Sequence, residues 1–334
     1  MDEKREEAAQ KPSQQYYEPI EIVANVSDHG RMLRDVLRKR VGISRRLMVK
    51  LKSSDEGLSV NGEKVWSNHV LAEGDVIRLR IEAEESETIL PQPMPIDIVY
   101  EDAHLLVLNK PAGLIVHPTT GHYLNTLANG VIHYWQERGE KIRFRPVHRL
   151  DEHTSGLVVV AKHSLAQQQL SAQMNEGKVT KMYRTYVYGG PPEKEGRIES
   201  PIDRSDEDPH RRVVRPDGQS CLTFYHVARA FEFGDGENAC ELEVRLGTGR
   251  THQIRVHMTS IGCPIIGDSY YTEERWEKSN TAAHLGDVIN RQALHAARLG
   301  FDHPITGEPM MLEAPLPEDM RRLEQRLIKL EKGE

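Results

Sequence analysis

The sequence predicts an α+β protein, in which a mixed sheet with helices beside it follows a small helix-helix-hairpin unit. Two observations carry this reading. Short runs rich in β-branched and aromatic residues outnumber the helical segments and do not alternate with them one for one, as a doubly wound parallel sheet requires. A compact basic segment near the N-terminus is also set apart by an acidic and then proline-rich stretch. At 334 residues the chain has room for one large and one small domain, and 38% apolar residues suffice for a sizeable core.

Residues 1–19, with Glu3, Glu6, Glu7, Gln10, Gln14 and Gln15, lack apolar periodicity and read as a disordered tail. Residues 20–82 form the small domain. Leu33, Val36 and Leu37 share one helical face, while Arg31, Arg34 and Arg38 recur at i, i+3 and i+7 on another. Ser44 caps a second short helix with Leu47 and Leu51 four apart, leaving Arg45, Arg46, Lys50 and Lys52 outside. A charge run is ordinarily a solvated face. Between Arg31 and Lys52, however, Asp35 is the only acidic residue, so the patch points to an anionic partner. Asn61-Gly62 between short strand-like runs signals a tight hairpin, and Ile77, Leu79 and Ile81 alternate with Val76, Arg78 and Arg80 in a further strand.

Residues 83–95, Glu84-Glu85-Ser86-Glu87 followed by Pro91, Pro93 and Pro95, read as a semi-extended linker that lets the small domain move. The large domain then spans 96–334. Strands are expected near His104–Leu108, Leu157–Ala161, Met182–Tyr188, Leu222–Ala230 and Leu242–Leu246, and helices near Leu124–Arg138, Leu165–Met174 and His252–Ile261. Ile202–Gln219 has no hydrophobic period and reads as a surface loop, while Leu323, Leu327 and Leu330 stripe a last helix that packs on the body.

The formal net charge of -7 excludes a generally basic nucleic-acid binder, so attraction to phosphate must come from local patches. No run approaches the roughly 18 apolar residues of a membrane span, and the first residues are too polar for a signal sequence. Cys221, Cys240 and Cys263 are odd in number and widely spaced with no Cys-x-x-Cys pair, which suits a reducing cytoplasm and argues against a zinc site. The expectation is a cytoplasmic protein with no membrane, metal or required protein partner.

The most informative stretch is His148-Arg149-Leu150-Asp151-Glu152-His153-Thr154-Ser155-Gly156-Leu157, which sets Asp151 among basic, polar and glycine neighbours just before a buried strand. Spacing alone makes Asp151 a turn former, bonding nearby backbone N–H groups. The same stretch resembles the catalytic motif of the RluA-type RNA pseudouridine synthases, in which the aspartate is essential. Asn109-Lys110-Pro111-Ala112-Gly113-Leu114-Ile115-Val116-His117-Pro118 resembles the family's first motif, and Lys181-Met182-Tyr183 its lysine-x-tyrosine element. Gly249-Arg250-Thr251-His252-Gln253-Ile254-Arg255-Val256-His257, trailed by Gly262 to Asp268, resembles its last motif. The likeness covers roughly residues 97 to 315.

That resemblance implies a largely antiparallel sheet and an isomerisation, in which uracil leaves ribose through N1 and rejoins through C5 without energy source or cofactor. It implies Asp151, Tyr183 and Arg255 as the catalytic residues, with Asp151 in a buried setting, Arg255 against it, and Tyr183 stacked on or beside a flipped-out base and available for proton transfer at the sugar or the base. Arg149 and His148 would displace and hold the nucleotide. Residues 20–82 resemble the RNA-binding domain first seen in the fourth protein of the small ribosomal subunit. Arg31, Arg34, Arg38, Arg45, Arg46 and Lys50 would then meet RNA. The two-part arrangement favours large-subunit ribosomal RNA as substrate, with transfer RNA as an alternative and a catalytically inactive RNA-binding ribosome-assembly protein as another.

Other chemistries fit poorly. His252 and His257 are five apart with Gln253 after the first, so they diverge by about 140° on a helix and miss the zinc-protease spacing. Gly247-Thr248-Gly249 lacks the lysine of a phosphate loop, and no second placed acid supports a glycoside hydrolase.

Overall fold

A computed structural model of the chain describes residues 16–234, 236–272, 276, 278–279, 285 and 288–334. The expected tail lies outside the described residues as far as residue 15. From Tyr16 the chain is already engaged: Tyr16 bridges Glu82, and the Tyr17 N–H donates to the Ile81 carbonyl at 2.9 Å.

The first unit contains β1 (Ile20–Val23), α1 (Leu33–Lys39), α2 (Arg45–Ser53), β2 (Leu58–Val60), β3 (Glu63–Lys64) and β4 (Val76–Leu79), its four strands ordered β1-β4-β2-β3. Leu33, Val36, Leu37, Leu47 and Leu51 close over Ile77 and Leu79, so the helical stripe and the strand alternation find one another in one core. The Ser44 hydroxyl accepts the Leu47 N–H at 3.2 Å and starts α2. Between β2 and β3, Asn61 and Gly62 have φ of 52° and 84°, the two left-handed positions of the favoured hairpin turn.

The large domain holds β5 (Ile98–Glu101), β6 (Leu105–Lys110), α3 (Leu127–Glu137), β7 (Arg145–Pro146), β8 (Ser155–Ala161), α4 (Ser164–Asn175), β9 (Thr180–Tyr188) and β10 (Glu195–Ile198). It continues through β11 (Ile202–Arg204), β12 (Arg212–Val214), β13 (Thr223–Glu232), β14 (Asn238–Leu246), α5 (Gln253–Ser260), β15 (Leu294–Asp302), β16 (Pro309–Glu313) and α6 (Glu318–Glu331). The main sheet runs β10-β13-β14-β9-β15-β8-β6-β5, with β16 beside β15 and β7 beside β8. Every described pairing in it is antiparallel except β15 with β8, which makes the sheet mixed and largely antiparallel as expected.

The central position of β8 explains its unbroken apolar run. Val158 and Val160 face a core with Leu106, Leu108, Trp135, Ile254 and Leu323, while Leu157, Val159 and Ala161 face a second core with Leu105, Val107, Leu170 and Phe301. A strand covered on both faces has no solvent side on which to alternate. Polar residues return at its two ends, at Lys162-His163 and at the Asp151 loop.

Two expectations need correction. Residues 202–219 are not an irregular loop but carry the hairpin β11–β12, with Ile202 paired to Val214 and buried against Val256 and Tyr271. The hairpin is too short and polar to show a period. Residues 83–95 are not a free linker. Glu84 bridges Lys50 and Arg145, each at 2.6 Å, Phe144 N–H reaches the Ser86 hydroxyl at 2.8 Å, and Asn129 donates to the Leu90 carbonyl at 2.7 Å. Apolar residues between and around the prolines supply the docking contacts: Ile89 and Ile96 pack on the core, and Met94 lies so close over Gly130 that a Cβ there would come within 2.4 Å of its Cγ. The small unit rests in turn on α4, whose Leu165 joins its core and whose Gln168 accepts the Ser44 N–H at 2.9 Å.

Candidate active site

Three segments distant in sequence meet at an open cleft of about 900 Å³, lined among others by Ile115, His148, Arg149, Asp151, Lys181, Tyr183, Arg250, His252 and Arg255. The sheet register brings them together. Ala296 on β15 pairs with Gly156 of β8 on one side and with Tyr183 of β9 on the other, so the loop before β8 and the middle of β9 lie two strands apart. The turn after β14 then delivers α5 over the same place.

The Asp151 loop is pinned from below by two buried cations. The Lys110 ammonium, with no exposed surface, donates to the carbonyls of Pro111 at 2.9 Å, Leu114 at 2.7 Å and Glu152 at 2.9 Å. Burial draws Lys110 down to about 7, yet three carbonyls are satisfied together only by the three N–H bonds of the charged form. Arg291 clasps Asp319 at 2.6 and 2.9 Å and gives its remaining nitrogen to the His153 carbonyl at 3.0 Å. The loop is therefore a rigid platform for its one cleft-facing carboxylate.

Arg255 is oriented before it meets Asp151. Its Nε and one terminal nitrogen bond the two oxygens of fully buried Asp268 at 2.6 and 2.8 Å, leaving the other terminal nitrogen 3.5 Å from Asp151 Oδ2. Burial opposes the charge on Arg255, but the bonds to Asp268 and the nearby Asp151 hold the guanidinium protonated. His252 approaches the same oxygen, its Nε2 3.9 Å from Oδ2. Among the described residues no hydrogen bond or ion pair reaches Asp151 Oδ1. The Asp151 side chain keeps 26% of its surface exposed, so the burial expected from the sequence is only partial.

His252 adopts the left-handed conformation, with φ of 57° at the start of α5. A bulky residue held there signals a position fixed by its surroundings. Tyr271 does the fixing: its hydroxyl receives the Arg212 N–H at 2.9 Å and lies 2.8 Å from His252 Nδ1. The Tyr271 hydroxyl thus joins the Arg212 backbone to His252 Nδ1 and holds the imidazole with its other nitrogen, Nε2, turned toward Asp151. The Tyr271 ring lies 4.9 Å beneath the Arg255 guanidinium. Tyr183 on β9 is almost fully buried, and burial together with the Asp151 charge raises its phenol above the usual value, so it stays neutral at neutral pH.

Comparison with known proteins follows the same motifs. A family model described as RNA pseudouridylate synthase matches residues 104–260. An uncharacterized RNA pseudouridine synthase of Bacillus subtilis is 40% identical over 284 residues, 85% of this chain and 95% of its own length. The chain belongs to the RNA pseudouridine synthase family. A ribosomal large subunit pseudouridine synthase D of Zymomonas mobilis is 41% identical over 71% of this chain and 74% of its own. The solved structure of human RNA pseudouridylate synthase domain containing 4 superposes with a TM-score of 0.56 at 25% identity, covering 70% of this chain and 93% of that one.

In this pseudouridine synthase, Asp151, Tyr183 and Arg255 lie together as the motifs require, and Arg149 stands exposed at the rim. His148 differs from the expectation of a nucleotide-holding group. Its Nε2 accepts the Val159 N–H at 3.3 Å, and burial lowers it to about 4, so it enters the cleft wall neutral and committed to β8. Arg31, Arg34, Arg38, Arg45 and Arg46 are exposed, whereas Lys50 is tied to Glu84. Sequence reasoning passed over Asp268, Lys110 and Arg291 as functional partners. Asp268 and Lys110 stood within quoted motifs, and a buried carboxylate 13 residues after Arg255 was a usable signal; nothing local marked Arg291. Among the described residues no cluster of His, Cys, Asp or Glu could hold a metal, the three cysteines are buried and unbridged, and no helix is long and apolar enough to cross a membrane.

Proposed function

We propose that this enzyme converts uridine to pseudouridine in large-subunit ribosomal RNA, with Asp151 as the catalytic group acting on a base flipped into the cleft. The observation that carries the reading is the asymmetry at Asp151, which lines the cleft: Arg255 and His252 attend Oδ2, while among the described residues no hydrogen bond or ion pair reaches Oδ1. In the net reaction the N1–C1′ bond breaks, a C5–C1′ bond forms, C5 loses a proton and N1 gains one. A carboxylate steadied on one oxygen and free on the other suits attack or charge stabilisation during detachment. Arg255, held by Asp268, acts as a positioning residue, and the neutral phenol of Tyr183 offers a face for the uracil. Residues 16–82 act as the RNA-binding module, their exposed arginines and Arg149 meeting phosphates. The name of the Zymomonas relative supports ribosomal RNA as the substrate.

The test is release of tritium from RNA labelled at uridine C5, because bonding C5 to ribose expels that hydrogen. Release from large-subunit ribosomal RNA by the wild type, and none by Asp151→Ala, is expected. Release from transfer RNA alone would overturn the substrate, and release by Asp151→Ala would overturn the residue.

A further inference from the structure

The three tryptophans of this chain are treated very differently. Trp135 and Trp276 are buried, 1% and 8% exposed, whereas Trp66 keeps 73% of its surface in solvent. A single exposed apolar side chain is ordinary. What distinguishes Trp66 is its surroundings. The segment after it runs along the start of α1, with the Arg34 N–H donating to the Ser67 carbonyl at 2.9 Å, Leu33 N–H to His69 at 2.8 Å, and Leu71 N–H to Arg31 at 2.9 Å. These bonds run the backbone that directly follows Trp66 alongside that of Arg31 and Arg34. Met32 and Val70, bridged to one another and exposed by 37% and 57%, extend the apolar surface between them.

The cations here are uncommitted. Arg31, Arg34 and Arg38 are exposed, and among the described residues none of their guanidinium groups has an ion pair or hydrogen bond. Arg40, two residues after Arg38, is by contrast paired with Asp28, and Lys50 with Glu84. An aromatic face in water beside unpaired arginines matches the needs of an unpaired nucleotide, whose base stacks on a ring while its phosphates meet guanidinium. A perfect duplex offers no such base, since its rings are already stacked on one another.

We propose that Trp66, with Arg31 and Arg34, forms a binding site for an unpaired nucleotide of the RNA substrate, the base stacked on the indole. The proposal rests on the reading that residues 16–82 engage RNA, and it adds single-strand selectivity that charge alone does not give. The occupant is RNA rather than a second copy of the chain because Arg31, Arg34 and Arg38, which have no carboxylate partner among the described residues, would face their own like charges across a symmetric contact.

The test titrates a fluorescein-labelled short oligouridylate and an equally labelled blunt RNA duplex of equal length with the full chain, following anisotropy of the label in every variant and tryptophan fluorescence in the wild type. Quenching by the oligouridylate is expected, with Trp66→Ala weakening its binding by about tenfold and Trp66→Phe retaining most of it. Arg31→Ala combined with Arg34→Ala should reduce the dependence of log affinity on log salt by about 1.4. A thermal melt of each variant establishes that it is folded. Unchanged oligouridylate affinity in folded Trp66→Ala would overturn the site, as would an equal loss for the duplex. Self-association in sedimentation that Trp66→Ala abolishes would assign the patch to a second copy and equally overturn it. Tritium release in the parallel assay separates the readings: release with an indifferent Trp66→Ala sinks the stacking site alone, whereas absence of release sinks the RNA reading beneath it.

Discussion

The two oxygens of Asp151 have different surroundings, and substitutions there should separate binding from chemistry. Asn keeps the size and the hydrogen-bonding reach to Arg255 but removes the charge. Asp151→Asn should therefore bind RNA as the wild type does and show no turnover, measured by filter binding beside tritium release; residual turnover in a clean preparation would count against the assignment. Behind the cleft wall, the Tyr271 hydroxyl holds the His252 ring in place through Nδ1. Tyr271→Phe keeps the ring beneath Arg255 but frees the imidazole. We expect kcat to fall about tenfold, less than the roughly 10²–10⁴-fold contributed by a group that itself transfers a proton, with RNA affinity unchanged. A rise in KM at constant kcat would show instead that Tyr271 serves binding alone.

At the scale of elements, the start of β8 is where sequence and fold constrain each other most tightly. Gly156 has φ of 111°, and a Cβ on it would lie 2.3 Å from the Ala296 carbonyl oxygen across the parallel joint with β15. Gly156→Ala therefore faces both backbone strain and a backbone clash, and should lose about 3 kcal/mol or more of stability, read as a fall in the denaturant midpoint. A variant as stable as the wild type would mean that the joint can open without cost. This strand was legible in the sequence because an unbroken apolar run ending at glycine and polar residues has few structural meanings. Asp151, Tyr183 and Arg255 were legible for a different reason, their motif context. The supports were not: Lys110 reaches Glu152 across 42 residues and Arg291 reaches His153 across 138, contacts that only the strand order creates. Residues 83–95 misled because alternating prolines look the same in a free tether and in a strap whose Ile89 and Met94 find partners.

For the whole molecule, stability depends on groups kept neutral or paired in the interior. His148 and His295 are lowered to about 4 and His163 to about 3, in each case chiefly by burial. Below about 6.5 the unfolded chain takes up these protons first, so stability should fall as pH drops from about 6.5 toward 4, at up to roughly 1.4 kcal/mol per pH unit for each histidine. Denaturation midpoints at pH 7, 6 and 5 check this, and a flat profile would mean that the imidazoles reach water. Glu84 joins the two parts of the chain by holding both Lys50 and the buried Arg145. Glu84→Gln leaves that guanidinium without its carboxylate and should cost about 2–3 kcal/mol, with faster proteolysis within residues 83–95; unchanged melting and cleavage would show that the apolar contacts suffice. The docked strap has a consequence for target choice. A tethered module gathers RNA from any direction, but one bolted to the body works as a caliper. With the arginines of α1 as the proposed RNA contact, the span from them to the mouth of the cleft is a built-in length, and among many chemically identical uridines the expected target is the one that a folded RNA holds at that distance.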